Sequence, residues 1–359
     1  MKFKIIESAR KKFFLSEAYN YTFDKVTGVF LRWGAAVEED PVMAPSPEIM
    51  DLEISTVCTG IGKPCGFCYK ANVNRGDQMS FETFKDIFDK LPRSITQIAF
   101  GIGNLFGHDD MWEIFRYARD NGVIPNVTTN GYMLTDEIAD TLAEVMGAVA
   151  VSRYDPPDVC YDAVKKLTDR NMDQVNIHMV VSEDSYEQCL QLIEDVKTDE
   201  RLSKLNAVVF LMMKPKGRAA FIGKGIGSMD KYRELVTHAL QSGIKVGFDS
   251  CSAPSFLKAT EEHKLSERFQ MMADPCESGL FSIYADVEGK VYPCSFTPGT
   301  PGWEDGIPLQ EVDSFDDVWN HDRMLKWKDR LLSSTKDCGG CKFQDSCRSC
   351  PLYKIDLCK

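Results

Sequence analysis

ISTVCTGIGKPCGFC, residues 54–68, follows an alternating apolar run of Met50, Leu52 and Ile54 and carries Cys58, Cys65 and Cys68 among Gly60, Gly62 and Pro64. Alternation with period two marks a strand with one buried face, and the glycine- and proline-bearing stretch after it reads as a loop. Three thiolates on one such loop can converge on one centre. Four protein thiolates close the coordination of a 4Fe-4S cluster and suit it to electron transfer, whereas three leave one iron open to a substrate or cofactor. A zinc knuckle is the other use of clustered cysteines.

Working outward, residues 50–250 alternate short apolar runs with stretches of helical periodicity. The pattern predicts strands at 51–57, 96–100, 124–129, 148–152, 174–181, 206–212 and 244–249. Helices are predicted between them, with Ser80 capping SFETFKDIFDKL, Asp109 capping DMWEIFRYARDNG up to Gly122, and Thr135 capping DEIADTLAEVMG. Alternation of this kind makes a parallel sheet with right-handed crossovers, because each helix returns the chain to the same end. The expected fold is α/β, a partial (β/α)6 TIM-like barrel over residues 50–250, with reactive loops at the C-terminal ends of its strands. The cysteine loop falls at such an end. Residues 1–49 are expected to be a separate segment with a short helix and a β-hairpin in YTFDKVTGVFLRWG that turns at Thr27-Gly28. The first 34 residues hold seven Lys and Arg against three Asp and Glu, a surplus that could meet an acidic substrate or form a solvated face.

The loop ends in cysteine, one residue, aromatic Phe67, cysteine-like spacing, and on these residues the chain resembles the radical S-adenosylmethionine (SAM) enzymes, whose cluster loop reads CxxxCx(aromatic)C after the first barrel strand. Here six residues separate Cys58 from Cys65 where that family usually has three, so the loop must bulge. The resemblance implies further contacts to SAM at the strand ends. Gly101, Gly103 and Asn104 in AFGIGN correspond to a GGE-like turn without its acid, and Thr129-Asn130-Gly131 matches a TNG turn. Ser152 and Arg153 end the fourth strand where SAM ribose and carboxylate contacts are common. His178 could face the barrel mouth or be a hydrogen-bonded core histidine. Pro215-Lys216-Gly217-Arg218 looks like a P-x-G-R turn after the sixth strand.

The last third, residues 251–359, resembles the SPASM extension of the same enzymes. Cys276 is followed by twelve residues, Gly289, four residues and Cys294, with a hairpin turn at Glu288-Gly289; Cys338, Cys341, Cys347, Cys350 and Cys358 follow, one spacing a residue short between Cys347 and Cys350. By position, the resemblance assigns a first auxiliary 4Fe-4S cluster to Cys276, Cys294 and Cys350 and a second to Cys338, Cys341, Cys347 and Cys358. Cys251, in FDSCSAP, is the candidate fourth ligand of the first; alternatively that site stays open and Cys251 is a catalytic thiol facing the substrate. Cys160 and Cys189 fall on predicted helices and read as buried apolar cysteines.

The implied cofactors are three 4Fe-4S clusters and SAM, whose reductive cleavage in this family gives a 5'-deoxyadenosyl radical that abstracts hydrogen. The implied activity is oxidative modification of a peptide or protein, with an electron passed to the auxiliary clusters; a small-molecule substrate, an iron-sulfur electron carrier and a zinc protein are the alternatives. An electron donor such as flavodoxin or ferredoxin would be a partner. Sulfatase-maturing relatives carry an acid after the cysteine matching Cys294, and Ser295 here argues against that chemistry. Composition bounds the rest. A net charge of -12 opposes binding to phosphate backbones, so nucleic acid is not an expected partner. No run of eighteen apolar residues and no secretory h-region is present, so neither a membrane partner nor export is expected. Thirteen cysteines in such a chain then point to cluster ligands in a reducing, cytoplasmic setting.

Overall fold

The basic first residues make strands. The structure, a computed structural model, describes residues 2–222 and 224–358. In it β1 (Phe3–Glu7), β2 (Lys11–Ser16), β3 (Asn20–Asp24) and β4 (Phe30–Trp33) form an antiparallel four-stranded sheet in sequential order. The expected hairpin is its β3–β4 half, with Gly28 at a φ of +72° in the turn; the expected helix is replaced by β1 and β2. Alternation explains the correction, since Phe14, Tyr21 and Phe23 are buried while Lys4 and Lys11 are exposed. Lys12 is the exception: it is buried, and its Nζ donates to the Ile95 carbonyl at 2.7 Å. Tyr21 donates to the Ser94 carbonyl at 2.6 Å, so this sheet docks beside the start of the second barrel strand, at the barrel end away from the cysteine loop.

The barrel strands are β5 (Ile49–Glu53), β6 (Gln97–Gly101), β7 (Ile124–Thr129), β8 (Ala148–Ser152), β9 (Val175–Val181), β10 (Ala207–Met212) and β11 (Val246–Phe248). They pair parallel in chain order, with helices Phe81–Lys90, Met111–Asp120, Asp136–Val145, Pro157–Thr168, Tyr186–Thr198 and Met229–Gln241 between them. This is the expected partial α/β barrel. Each strand puts one apolar face under the helices: Met50, Leu52, Ile98, Val149, Ile177 and Val208 are wholly enclosed. Burying a side chain of that size contributes about 1.5–3 kcal/mol. Ser80 and Thr135 cap their helices, accepting from Thr83 N–H and Ile138 N–H. The second helix starts at Met111, with Asp110 rather than Asp109 before it, and Asp110 accepts from Phe81 N–H of the preceding helix at 2.9 Å.

β5 ends at Glu53, earlier than the expected residue 57, because the chain beyond it leaves the ladder to pair with its own return segment through Ser55–Gln78 and Val57–Val73. The sheet does not stop at β5. Strands β12 (Ser282–Ala285), β13 (Lys290–Tyr292) and β14 (Ile307–Pro308) extend it to ten, with β12 parallel to β5. The C-terminal third is thus joined to the barrel by main-chain hydrogen bonds as well as by packing.

Candidate active site

Inside the open barrel lies a cavity of about 470 Å³, bounded by the cysteine loop, the inner faces of β5 to β10, and residues 249, 251, 284 and 295–296. Cys58, Cys65 and Cys68 line it together, half-buried. The bulge that the long spacing requires is built on Gly60 and Gly62, at φ of +59° and +77°; a Cβ on Gly60 would meet the Lys63 carbonyl oxygen at 1.9 Å. Glycine is the residue for which this backbone carries no steric cost. Arg218 holds the loop from the far side: Nε donates to the Cys65 carbonyl at 2.7 Å, Nη2 to Asn72 at 2.9 Å, and its N–H to Cys68 at 3.0 Å. A planar guanidinium with fixed donors suits such a clamp. Gly217 makes it possible, since its Cβ would lie 2.3 Å from the Tyr69 carbonyl oxygen.

Phe67, Gly101, Gly103, Asn130, Ser152, His178 and Cys251 also line the cavity. Gly103 is needed where it is, because a Cβ there would meet Cys58 Cβ at 2.3 Å. Asn104 and Arg153 do not line it. Asn104 is buried behind the loop, where Oδ1 accepts from Thr59 N–H at 2.7 Å and Thr59 Oγ1 at 3.0 Å. Arg153 follows inward-facing Ser152, so strand alternation turns it outward, and it pairs with Asp155 at 2.6 Å. Burial holds His178 near a pKa of about 4, against a smaller opposing pull from Asp249, so the ring is neutral at physiological pH. Phe67 meets Tyr154 edge-on at 5.3 Å, and Tyr69 stacks on Phe296 at 4.5 Å, closing the cavity wall with aromatic rings.

Several cavity residues were not anticipated from the sequence. Lys70 contacts Glu53 at 3.2 Å and the Tyr284 hydroxyl, which itself donates to Glu53 at 2.7 Å. Lys214 pairs with Asp249 and also bonds Cys251. Asp51 lies two residues before Glu53 on the same strand face. The signal was present in MDLEI: if Met50, Leu52 and Ile54 face the helices, Asp51 and Glu53 must face the barrel interior.

The remaining cysteines fall into groups that sense one another electrostatically. Burial first, then Cys58 and Cys68, push the Cys65 thiol up to about 11. Burial also raises Cys276 to about 12, with Cys294 and Cys350 adding to it, and Cys251 feels Cys276 and Cys350. Cys347 is raised to about 12 by burial and then by Cys358, Cys338 and Cys341. Among the described residues no three His, Cys, Asp or Glu side chains close on one point as around a single metal ion. Cys160 and Cys189 are buried on their helices and donate to the Val151 and Val180 carbonyls. No helix among the described residues is long and apolar enough to cross a membrane.

An open parallel barrel with three cysteines above its first strand defines a class, and residues 52–157 match the family model described as Radical SAM superfamily; this part of the chain is a radical SAM domain. The chain is 23% identical over 327 residues to the mycofactocin maturase MftC of Mycolicibacterium smegmatis, spanning 84% of this chain and 77% of that protein. It is 22% identical over 336 residues to the AdoMet-dependent heme synthase of Methanosarcina barkeri, spanning 86% and 92%. In fold it is similar to Streptococcus suis SuiB, with a TM-score of 0.68 and 14% identity over 91% of this chain and 90% of that one. The structure of anSMEcpe with bound AdoMet and the Cp18Cys peptide superposes with a TM-score of 0.64 at 14% identity, over 87% and 94%.

Proposed function

We propose that the chain is a SPASM-type radical SAM enzyme that cleaves SAM reductively and oxidatively modifies a peptide. The observation that carries this reading is that Cys58, Cys65 and Cys68 line one cavity together, with Cys251 also among its lining residues. The donor set fits the cofactor. Three soft thiols on one loop would hold a 4Fe-4S cluster with an open iron for SAM. Cys251, Cys276, Cys294 and Cys350 would hold the first auxiliary cluster, and Cys338, Cys341, Cys347 and Cys358 the second. Thiols whose protons are held on by burial and mutual repulsion exchange those protons for iron, which relieves both.

When bound, the cluster and SAM supply hydrogen abstraction from an unactivated carbon, with an auxiliary cluster as electron acceptor. The protein's share is positional. Arg218, Gly103 and Asn104 fix the cysteine loop, Phe67 and Gly101 would flank SAM beside Asn130 and Ser152, and the aromatic pairs exclude water. Lys214 holds Asp249 and Cys251 on the cavity lining. The peptide reading is supported by the named maturase relative and by a similar structure holding a peptide. A small-molecule substrate is the second reading, supported by the heme synthase relatives. Flavodoxin or ferredoxin would supply the electron, in a cytoplasmic setting.

Anaerobic reconstitution followed by iron and sulfide analysis tests this. About twelve irons per chain are expected, four for each of three clusters. The double substitution Cys65→Ala and Cys68→Ala should remove about four of them and abolish 5'-deoxyadenosine formation under reducing conditions. Zinc in place of iron and sulfide, or unchanged SAM cleavage by the double variant, would overturn the reading.

A further inference from the structure

We infer that the cavity selects a substrate carrying a positively charged nitrogen, an amine or guanidine, and that the Asp51 carboxylate receives it. This rests on the functional reading above and adds the chemistry of what enters the site.

Asp51 is the middle residue of β5, and its register partners are Ala99 on β6 and Tyr284 on β12. The alanine leaves open space beside the carboxylate. The Asp51 side chain is exposed, and it lines the cavity. Among the described residues no hydrogen bond or ion pair to its carboxylate is formed. Burial raises its pKa to about 6, with a smaller opposing pull from Lys70.

The other charges around the cavity are committed. Lys70 is held by Glu53 and Tyr284, and Lys214 by Asp249. Arg218 spends its donors on the backbone of the cysteine loop, and His178 is neutral. Two lysines thus answer two carboxylates, and Asp51 is a third without a cation of its own. A carboxylate that opens into a cleft with no protein partner is one a cationic ligand can complete. SAM also bears positive charge, but the three cysteines that would hold its cluster lie on the loop beyond Glu53, past the end of the strand whose middle Asp51 occupies. Asp51 lies about 7 Å further down the strand than Glu53, at the rise of a parallel strand. The same cavity is lined by Val180, Leu211 and Phe296, so the cation would carry an apolar body.

The test uses the full, anaerobically reconstituted chain and three probes that share a phenethyl body: phenethylamine, 3-phenylpropionate and 3-phenylpropionamide, with affinities read by ligand-observed NMR in the presence of SAM. The amine should bind about tenfold or more tighter than either neutral or anionic probe, and Asp51→Asn should erase that preference, a loss of about 1.4 kcal/mol per tenfold. Equal affinities in the unmodified chain overturn the proposal without reference to any variant. So does a preference that survives Asp51→Asn, or an equal loss of SAM affinity in that variant, which would assign Asp51 to SAM. SAM cleavage by the unmodified chain is scored separately. If it is absent while the amine preference stands, the functional reading fails and the cation site survives.

Discussion

At the scale of single residues, the site is governed by how near backbones can come to one another. Gly103 brings the turn after β6 against Cys58, where even one methyl would stand 2.3 Å from Cys58 Cβ. Gly103→Ala should therefore displace the cysteine loop and lower SAM-cluster loading, leaving about eight irons if both auxiliary clusters remain. Iron content and the reduced-cluster EPR signal measure this; full iron loading with native SAM cleavage would show that the loop tolerates the shift. Cysteines were legible in the sequence because metal chemistry depends on residue type and spacing. Lys70, Tyr284 and the Lys214–Asp249 pair were not, because their meaning comes from partners far off in the chain, such as Glu53 and Tyr284. Asn104 and Arg153 show the converse error. Their positions in motifs resembling a family suggested SAM contacts, while local hydrogen bonding and strand alternation direct their side chains elsewhere.

At the scale of elements, the barrel strands and two of three helix caps were readable, because apolar runs of five to seven residues bounded by Ser, Thr or Gly leave few alternatives. The N-terminal strands were obscured by lysines. Their hairpin turn offers a pH test. Asp24 accepts from Thr27 N–H and Val26 N–H at 3.0 Å each and from Arg10 at 2.9 Å. The Thr27 bond first, with Arg10 and Val26, holds its carboxyl down to about 2 despite some desolvation. A carboxylate whose folded-state pKa lies below its unfolded value adds stability that is complete above about pH 4 and fades as pH falls towards the folded value. The gap in melting temperature between the native chain and Asp24→Asn should accordingly stay constant from pH 7 to about 4, then close towards pH 2. A gap that does not change with pH would mean that the charge on Asp24 is irrelevant to the turn.

At the scale of the whole molecule, the N-terminal sheet, barrel and C-terminal third are tied together in places that no periodicity reveals. Arg32 of β4 bridges Glu48 at 3.0 Å, Asp274 at 3.0 Å and Glu277, and its guanidinium lies 3.9 Å from the centre of the Phe281 ring. β12 covers the edge of β5 from across the sequence, a pairing that local pattern cannot encode. A chain ended at residue 250 should bare that edge and self-associate, because an unpaired strand edge is a template for another chain. Light scattering of the truncated and full chains compares them, and a monomeric, stably folded truncation would contradict the expectation. The same pairing has a consequence during synthesis. Ile49 and its partner Ser282 leave the ribosome more than two hundred residues apart, which at about 5–20 residues per second is an interval on the order of 10–50 s. Until it ends, the wall completed by Tyr284 and Phe296 is missing, and the nascent cysteine loop stays open to iron-sulfur delivery.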